Sequence, residues 1–325
     1  MESGQMKIGI LTSGGDAPGM NAAIRAVVRT ALNKNCKVVG INKGFIGLLG
    51  GDISNLGTRD VSDIMQRGGT VLHTARCPEL KTPEGLKKGA AIYDILSLDA
   101  LVVIGGDGSF RGCQELSRLG VNIIGIPGTI DLDIGCTEYT IGFDTAVNTG
   151  LDALRKLRDT SSSHERCSVV EMMGRGSGYI AMWCAMAGGA EDVLIPENKD
   201  AVTEDLVIEK ILMNRSRGKR HNLIVVAEGI GGTVNLAKKI QDITGIQTRA
   251  TVLGHLQRGG TPTATDCMHA SMMGYLAAKV ITEGAKNKII AYNKGRYDVL
   301  DLDTAMSMTK ELDENYYDVV NLLSI

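Results

Sequence analysis

The chain has 325 residues, 43% hydrophobic and 22% charged; it is long enough for two α/β domains and too apolar for a disordered chain. A net charge of −2 leaves no basic surface for nucleic acid or an acidic membrane, so any anionic ligand must be held by local arginines. The seven cysteines are odd in number and contain no Cys-x-x-Cys pair, which argues against a zinc site or a disulfide framework and suits a reducing compartment.

In chain order, the opening MESGQMKIGILTSGG lacks the basic and apolar blocks of a signal peptide. KIGILT, Lys7 to Thr12, reads as a strand and SGGDAPG as a turn; Met20, Ala23, Ile24, Val27, Val28 and Ala31 then recur at helical spacing. LVVI (Leu101 to Ile104) leads through GGDGS into a helix expected from about Phe110. NIIGI (Asn122 to Ile126) precedes PGTIDLD, and a long helix is expected from about Asp144 to Arg158.

A second series follows. SVVEMM (Ser168 to Met173) leads into GRGSG and a helix ending near Ala187. DVLI (Asp192 to Ile195) precedes a helix near Glu204 to Arg217, and NLIVVA (Asn222 to Ala227) precedes EGIGG and another helix. RATVLG (Arg249 to Gly254) runs into HLQRGG and a helix from about Thr265 to Glu283. Strand alternating with helix predicts parallel sheets covered on both faces. The fold class expected is α/β, as two Rossmann-like three-layer α/β/α domains with a cleft between them. Nowhere do 18 apolar residues run together, so no membrane-crossing helix and a cytoplasmic location are expected.

Ligands of open parallel sheets sit at the carboxyl ends of strands, beside helix N-termini. Three glycine loops occupy such ends: Ser13-Gly14-Gly15-Asp16, Gly105-Gly106-Asp107-Gly108-Ser109 and Gly128-Thr129-Ile130-Asp131-Leu132-Asp133. Glycine lets backbone N–H groups approach phosphate oxygens without a Cβ in the way. Asp107 is suited to Mg²⁺ beside phosphates, or to capping a helix. Asp131 and Asp133, two apart, would project the same way in an extended loop; paired aspartates after a strand are also common turn formers. Neither a Gly-x-x-x-x-Gly-Lys-[Ser/Thr] motif nor a His-Arg-Asp loop is present, which excludes the P-loop and protein-kinase arrangements. GGDG alone also suits NAD kinases and lipid kinases.

ILTSGGDAPGMNAAIR, LVVIGGDGS, PGTIDLDI, LRDTSSSHERCSVVEMMGR and ATVLGHLQRGGTP together resemble the bacterial 6-phosphofructokinases. The likeness runs in order from Lys7 to roughly Glu283; the last forty residues match poorly. It implies transfer of the γ-phosphoryl of ATP to the 1-hydroxyl of fructose 6-phosphate, with Mg²⁺, in a homotetramer that shares substrate sites between subunits. The resemblance also implies an ATP-binding domain of residues 1–141 plus about 254–304. A sugar-phosphate domain would comprise 142–253 plus about 305–325. No nucleic acid or membrane partner is implied.

On the same resemblance Asp131 is the general base, with Thr129 near the transferring phosphoryl and Asp107 and Asp133 toward the metal. Gly15, Arg76, Cys77, Gly106, Asp107, Gly108 and Ser109 would contact ATP, Gly15 and Arg76 also serving catalysis. Arg175 would neutralise charge in the transition state, a task suited to a fixed guanidinium. The sugar phosphate would meet Thr129, Ile130, Asp131, Met173, Gly174, Arg175, Glu228, His255, Leu256, Gln257 and Arg258. Arg166 and Arg249 would come from a neighbouring subunit.

Arg25 and Arg29 lie one turn apart, off the apolar stripe of the first helix, and read equally as a solvated face. The resemblance assigns them to an effector site with Arg158, Gly189, Ala190, Glu191, Arg217, Lys219, Arg220 and His221. Two departures stand out. Leu132 occupies the place of an asparagine usual between the two aspartates, and Thr58 that of an effector-site arginine, with Arg59 one residue on. Pyrophosphate-using relatives carry Asp at the position of Gly108 and Lys at that of Gly128. Both glycines are therefore expected to leave room for a nucleotide. The competing readings are a pyrophosphate-dependent enzyme and a regulatory paralogue weakened by Leu132.

Overall fold

The computed structural model describes residues 5–198, 202–313 and 315–324. In chain order the elements are β1 (Lys7–Ser13), α1 (Met20–Asn33), β2 (Lys37–Ile41), α2 (Gly44–Gly50), β3 (Ile53–Asn55), α3 (Pro83–Ile95), β4 (Ala100–Gly105), α4 (Asp107–Arg118), β5 (Ile123–Pro127) and α5 (Phe143–His164). There follow β6 (Cys167–Met172), α6 (Tyr179–Gly188), β7 (Asp192–Leu194), α7 (Glu204–Ser216), β8 (Asn222–Ala227), α8 (Thr233–Thr244) and β9 (Thr248–Val252). The last are α9 (Ala264–Thr282), β10 (Lys288–Asn293), β11 (Arg296–Asp301), α10 (Leu302–Ser307) and α11 (Asn315–Leu323).

The chain divides into two compact units, Met1–Asp144 with Arg258–Lys310, and Thr145–Gln257 with Glu311–Ile325. The first is built on a seven-stranded sheet of order β11-β10-β5-β4-β1-β2-β3. Its five inner strands are parallel, and β3 and β11 close the two edges antiparallel. β4 and β5 are buried along their whole length, as parallel strands covered on both faces must be. On one face α2, α3, α4 and α10 pack around Phe110, Leu101, Val103 and Leu116. On the other, α1 packs against α9. Gly274 permits that approach, since a Cβ there would lie 2.6 Å from the Ala23 carbonyl oxygen. The second unit has an all-parallel sheet of order β7-β8-β6-β9. α7 and α8 cover one face through Val207, Ile211, Leu236 and Ile240, while α6 packs on β8 and α11 on α6.

The α/β architecture agrees with the sequence reading. The structure adds β2, α2, β3, α3, the β10–β11 hairpin, α10 and α11. Helix α4 begins at Asp107, not near Phe110, because the GGDGS glycines form its first turn. The N-cap is Gly106 and Asp107 is the first helical residue, so its carboxylate favours the helix dipole without capping by side chain. α5 continues to His164, beyond Arg158. Among the described residues no helix is long and apolar enough to cross a membrane.

Candidate active site

Strands β5, β4 and β1 are neighbours, and Pro127, Gly105 and Ser13 lie side by side in register. The three glycine loops therefore leave the sheet at one level, next to each other. That alignment follows from the sheet order and from no local sequence signal. The contacts between them are direct. Ser109 Oγ donates to Ser13 Oγ at 2.9 Å, and the Gly128 N–H donates to the Gly105 carbonyl at 2.9 Å. Gly106 faces the Thr129 side chain, and Thr74 donates to the Gly14 carbonyl at 2.7 Å. Gly15 and Gly108 are exposed at the loop surfaces, Arg76 is exposed and Cys77 half-buried nearby in sequence.

The two donor-side glycines differ in kind. A Cβ on Gly108 would meet nothing within 4 Å, and Gly108 has no positive φ. Neither packing nor conformation requires glycine in this first helical turn, where it costs about 0.5–1 kcal/mol relative to Ala. What it leaves is open space. Gly128 is the opposite case and corrects the expectation of room there: a Cβ would lie 2.8 Å from Ile104 Cγ2 and 3.2 Å from Met20 Cε. Its glycine is demanded by the core.

Asp131 and Thr129 are buried, and the Asp131 N–H donates to Thr129 Oγ1 at 3.2 Å. The loop is not extended. Leu132 sits at φ 54°, so the chain turns between Asp131 and Asp133 and the two do not share a face by simple alternation. This left-handed conformation costs a branched residue roughly 1–2 kcal/mol, and asparagine tolerates it far better. Leu132 is nevertheless buried, and truncating an apolar side chain there forfeits about 1.5–3 kcal/mol. The two effects nearly offset, so Leu132→Asn is expected to fold with an unfolding free energy within about 2 kcal/mol of the parent. Its turnover should lie within about tenfold, since 1.36 kcal/mol corresponds to that factor. Denaturant titration and initial rates check this; a loss beyond a hundredfold would mean the leucine side chain itself is required.

Asp107 is held by Arg111 at 2.9 Å. The segment after α10 buttresses the loop that follows β5, where Gly135 leaves space for the Met308 carbonyl. Lys310 Nζ donates to the Thr137 carbonyl at 3.1 Å, and burial lowers its pKa to about 8 against the opposing pull of Asp133. Lys310 lies in the stretch of poorest resemblance and carried no motif. Arg258, also in the first unit, donates to the Asp16 carbonyl at 3.1 Å. Its guanidinium lies over Gly15, where a Cβ would come within 2.4 Å of Nη1.

In the second unit Met173, Gly174 and Arg175 follow β6. Arg175 is exposed and itself left-handed at φ 58°. The turn is gripped by Glu228, beyond β8, whose Oε1 accepts the N–H groups of Gly174, at 3.2 Å, and Arg175. Gln257 is fully buried and cross-ties the backbone: its Oε1 accepts the Met173 N–H at 2.7 Å and its Nε2 donates to the Ala146 carbonyl at 3.2 Å. His255 and Leu256 are exposed. Arg166 Nε donates to Gln247 Oε1 at 2.6 Å, and Arg249 is exposed on the edge strand β9. Ile130, back in the first unit, is fully buried.

Of the second-unit residues assigned to an effector site, Arg158, Gly189, Ala190, Glu191 and Lys219 meet around the end of α6. Arg158 Nη2 donates to the carbonyls of Gly188 and Gly189 at 2.6 and 2.5 Å. Ala190 and Glu191 are buried, Glu191 pairing with Lys219 at 2.9 Å. Arg220 pairs with Glu165 at 2.7 Å, with Arg217 exposed and His221 half-buried. Arg25 is half-buried and Arg29 exposed on α1 of the first unit, where Thr58 and Arg59 are also exposed.

Fold and loops together define an α/β protein of mostly parallel sheets, with adjacent glycine loops, carboxylates and arginines at the ends of its strands. Residues 7–281 match the phosphofructokinase family, and the chain belongs to it. It is 53% identical to the ATP-dependent 6-phosphofructokinase of Clostridium botulinum over 98% of this chain and 99% of that one. With the Clostridium novyi enzyme of the same name it shares 55% over the same fractions. Among solved structures, the phosphofructokinase of Saccharomyces cerevisiae superposes with a TM-score of 0.86 at 32% identity, over 99% of this chain and 48% of that one. This chain thus spans about half of the yeast chain. A pyrophosphate-dependent phosphofructokinase from Marinobacter aquaeolei superposes with a TM-score of 0.83 at 20% identity, covering 98% and 91%; at that identity the likeness is one of fold.

Proposed function

We propose that the chain is an ATP-dependent 6-phosphofructokinase that transfers the γ-phosphoryl of ATP to the 1-hydroxyl of fructose 6-phosphate, in the cytoplasm. The observation that carries the reading is the register of Ser13, Gly105 and Pro127. It brings together the three strand ends from which the loops carrying Gly15, Gly106, Gly108 and Asp131 depart. Relatives of that name over nearly the whole chain support it. The first unit would bind ATP, and the second would supply most of the contacts to the sugar phosphate.

In the reaction, Asp131 accepts the proton of the 1-hydroxyl as its oxygen bonds to the γ-phosphorus and the bond to the bridging oxygen of ADP breaks. Thr129 steadies the loop through the Asp131 N–H. Backbone N–H groups of Gly106 and Gly108, at the start of α4, and of Gly15, in the loop after β1, take the phosphate charge, with Ser109 alongside. Arg76 and Arg175 spread the charge of the transferring group. Glu228 holds the Arg175 turn and offers its remaining oxygen to the sugar. His255, Arg258 and, from a neighbouring subunit of a homotetramer, Arg166 and Arg249 hold the 6-phosphate.

Among the described residues no group of three or more His, Cys, Asp or Glu could hold a metal. That fits Mg²⁺, which takes one or two carboxylates and leaves its other positions to phosphate oxygens and water. Asp107 and Asp133 would hold it, and it would neutralise phosphate charge. Arg25, Arg29, Arg158, Glu191, Lys219 and their neighbours would form an effector site for a phosphorylated ligand.

A coupled assay with fructose 6-phosphate tests the reading, and Arg258→Ala sharpens it. Removing a charged phosphate contact of about 1.5–3 kcal/mol should raise the KM for fructose 6-phosphate by roughly 10- to 150-fold. The KM for ATP should change by a small factor. Equal losses for both substrates would make Arg258 a prop for the Gly15–Asp16 backbone instead.

A further inference from the structure

The loop from Gly128 to Ile141 carries Thr129, Asp131 and Asp133 and returns on itself. Gly128 and Ile141 form a β-bridge, and the Ile141 N–H donates to the Pro127 carbonyl at 3.0 Å. Where the loop runs into α5, its returning end is gripped by Asp266, in the first turn of α9. Asp266 is fully buried. Its Oδ1 accepts the Tyr139 hydroxyl and the Gly142 N–H, both at 2.6 Å. One turn along the same helix, His269 stacks its ring on Tyr139 with centroids 3.9 Å apart. The helix end is itself fixed, because Thr263 Oγ1 accepts the Asp266 N–H at 3.2 Å and donates to Asp144 at 2.6 Å.

The same corner takes in the loop after β1. A Cβ on Gly19 would lie 2.7 Å from Ile141 and 3.4 Å from the Cβ of Asp266. One on Gly142 would lie 2.6 Å from the Cβ of Ala17. Gly19 and Gly142 both have positive φ, 102° and 104°. The Asp16–Gly19 turn, the catalytic loop and the start of α9 therefore interlock around one carboxylate. A buried carboxylate that accepts two short hydrogen bonds holds its donors rigidly, because leaving either unpaired in the interior is costly.

We propose that Asp266 is a positioning residue for phosphoryl transfer: it clamps the return end of the 128–142 loop and so holds Asp131 in register with the donor loops. The proposal rests on the reaction proposed above. Asp266→Ala should lower kcat per folded molecule by roughly 10- to 100-fold, as expected when a catalytic group is displaced by about 1 Å. The KM values should stay within a small factor. Asp266→Asn keeps an oxygen that accepts both donors and should restore part of the loss. Backbone amide exchange across residues 128–142 should quicken in Asp266→Ala while β4 stays protected. A purely structural role would lower the melting temperature and the folded fraction and leave kcat per folded molecule intact, and that result would overturn the proposal. So would an Asp266→Asn no better than Asp266→Ala. Should Asp266→Ala not fold, Tyr139→Phe removes one of the two bonds; a reduced kcat supports the clamp and an unchanged one overturns it. If the unmodified protein does not phosphorylate fructose 6-phosphate, the reaction fails and this role with it, while the exchange measurement still shows whether the clamp orders the loop.

Discussion

Asp131→Ser is expected to leave the fold intact and to lower turnover on fructose 6-phosphate by roughly 10²–10⁴-fold, the usual worth of a positioned general base. The side chain is buried, and its own N–H is held by Thr129. Serine keeps a small polar group in the same pocket and preserves that backbone bond, but it cannot take the proton. Circular dichroism and the melting temperature should be close to those of the parent. Single-turnover measurement separates the chemical step from binding, and the loss should fall on the chemical step. Turnover near the parental value would remove Asp131 from the role of base.

The donor gives the second large effect. ATP should support the reaction and pyrophosphate should not, because Gly108 faces open space in the first turn of α4. Gly108→Asp should cut ATP use sharply: the new carboxylate would occupy that space and repel the phosphates. Since nothing beyond its own helical turn lies within 4 Å of the added Cβ, the variant should fold normally, and its melting temperature checks this. The companion change Gly128→Lys is a different experiment. Ile104 and Met20 stand against that Cβ, and overpacking a core costs about 1–3 kcal/mol or more, so it should destabilise the fold whatever the donor. Steady-state rates of the unmodified protein with each donor decide first. Comparable rates with pyrophosphate would overturn the donor assignment.

The contrast between these two glycines marks how far one-dimensional reading reaches. Both stand in a glycine loop after a buried strand, and both looked like room for a nucleotide. Only the third dimension separates them, because what opposes Gly128 comes from β4 and α1, some 24 and 108 positions earlier in the chain. Leu132 is a similar case. Its departure from an asparagine was visible as a letter, but the left-handed φ that makes asparagine apt there is a property of the folded loop. Asp266 and Lys310 carried no signal at all. One is the third residue of a helix and the other lies in a tail without recognisable motif, and each matters only through the loop it touches.

What the amino-acid sequence determined by itself was local and chemical. Short uninterrupted aliphatic runs such as LVVI and NLIVVA, closed by glycine, read as strands buried on both faces, and the glycines at their ends as turns. Hence the α/β class and the glycine loops at the strand ends were legible, while the roles of particular carboxylates and arginines came only from the resemblance. Tertiary structure decided which loops stand side by side, through the order β5-β4-β1. It also decided which glycines are required by packing, which arginine rests on Gly15, and which carboxylate pins the 128–142 loop. Sheet order and helix packing arise from contacts between residues distant in sequence, and such contacts leave no periodic trace along the chain.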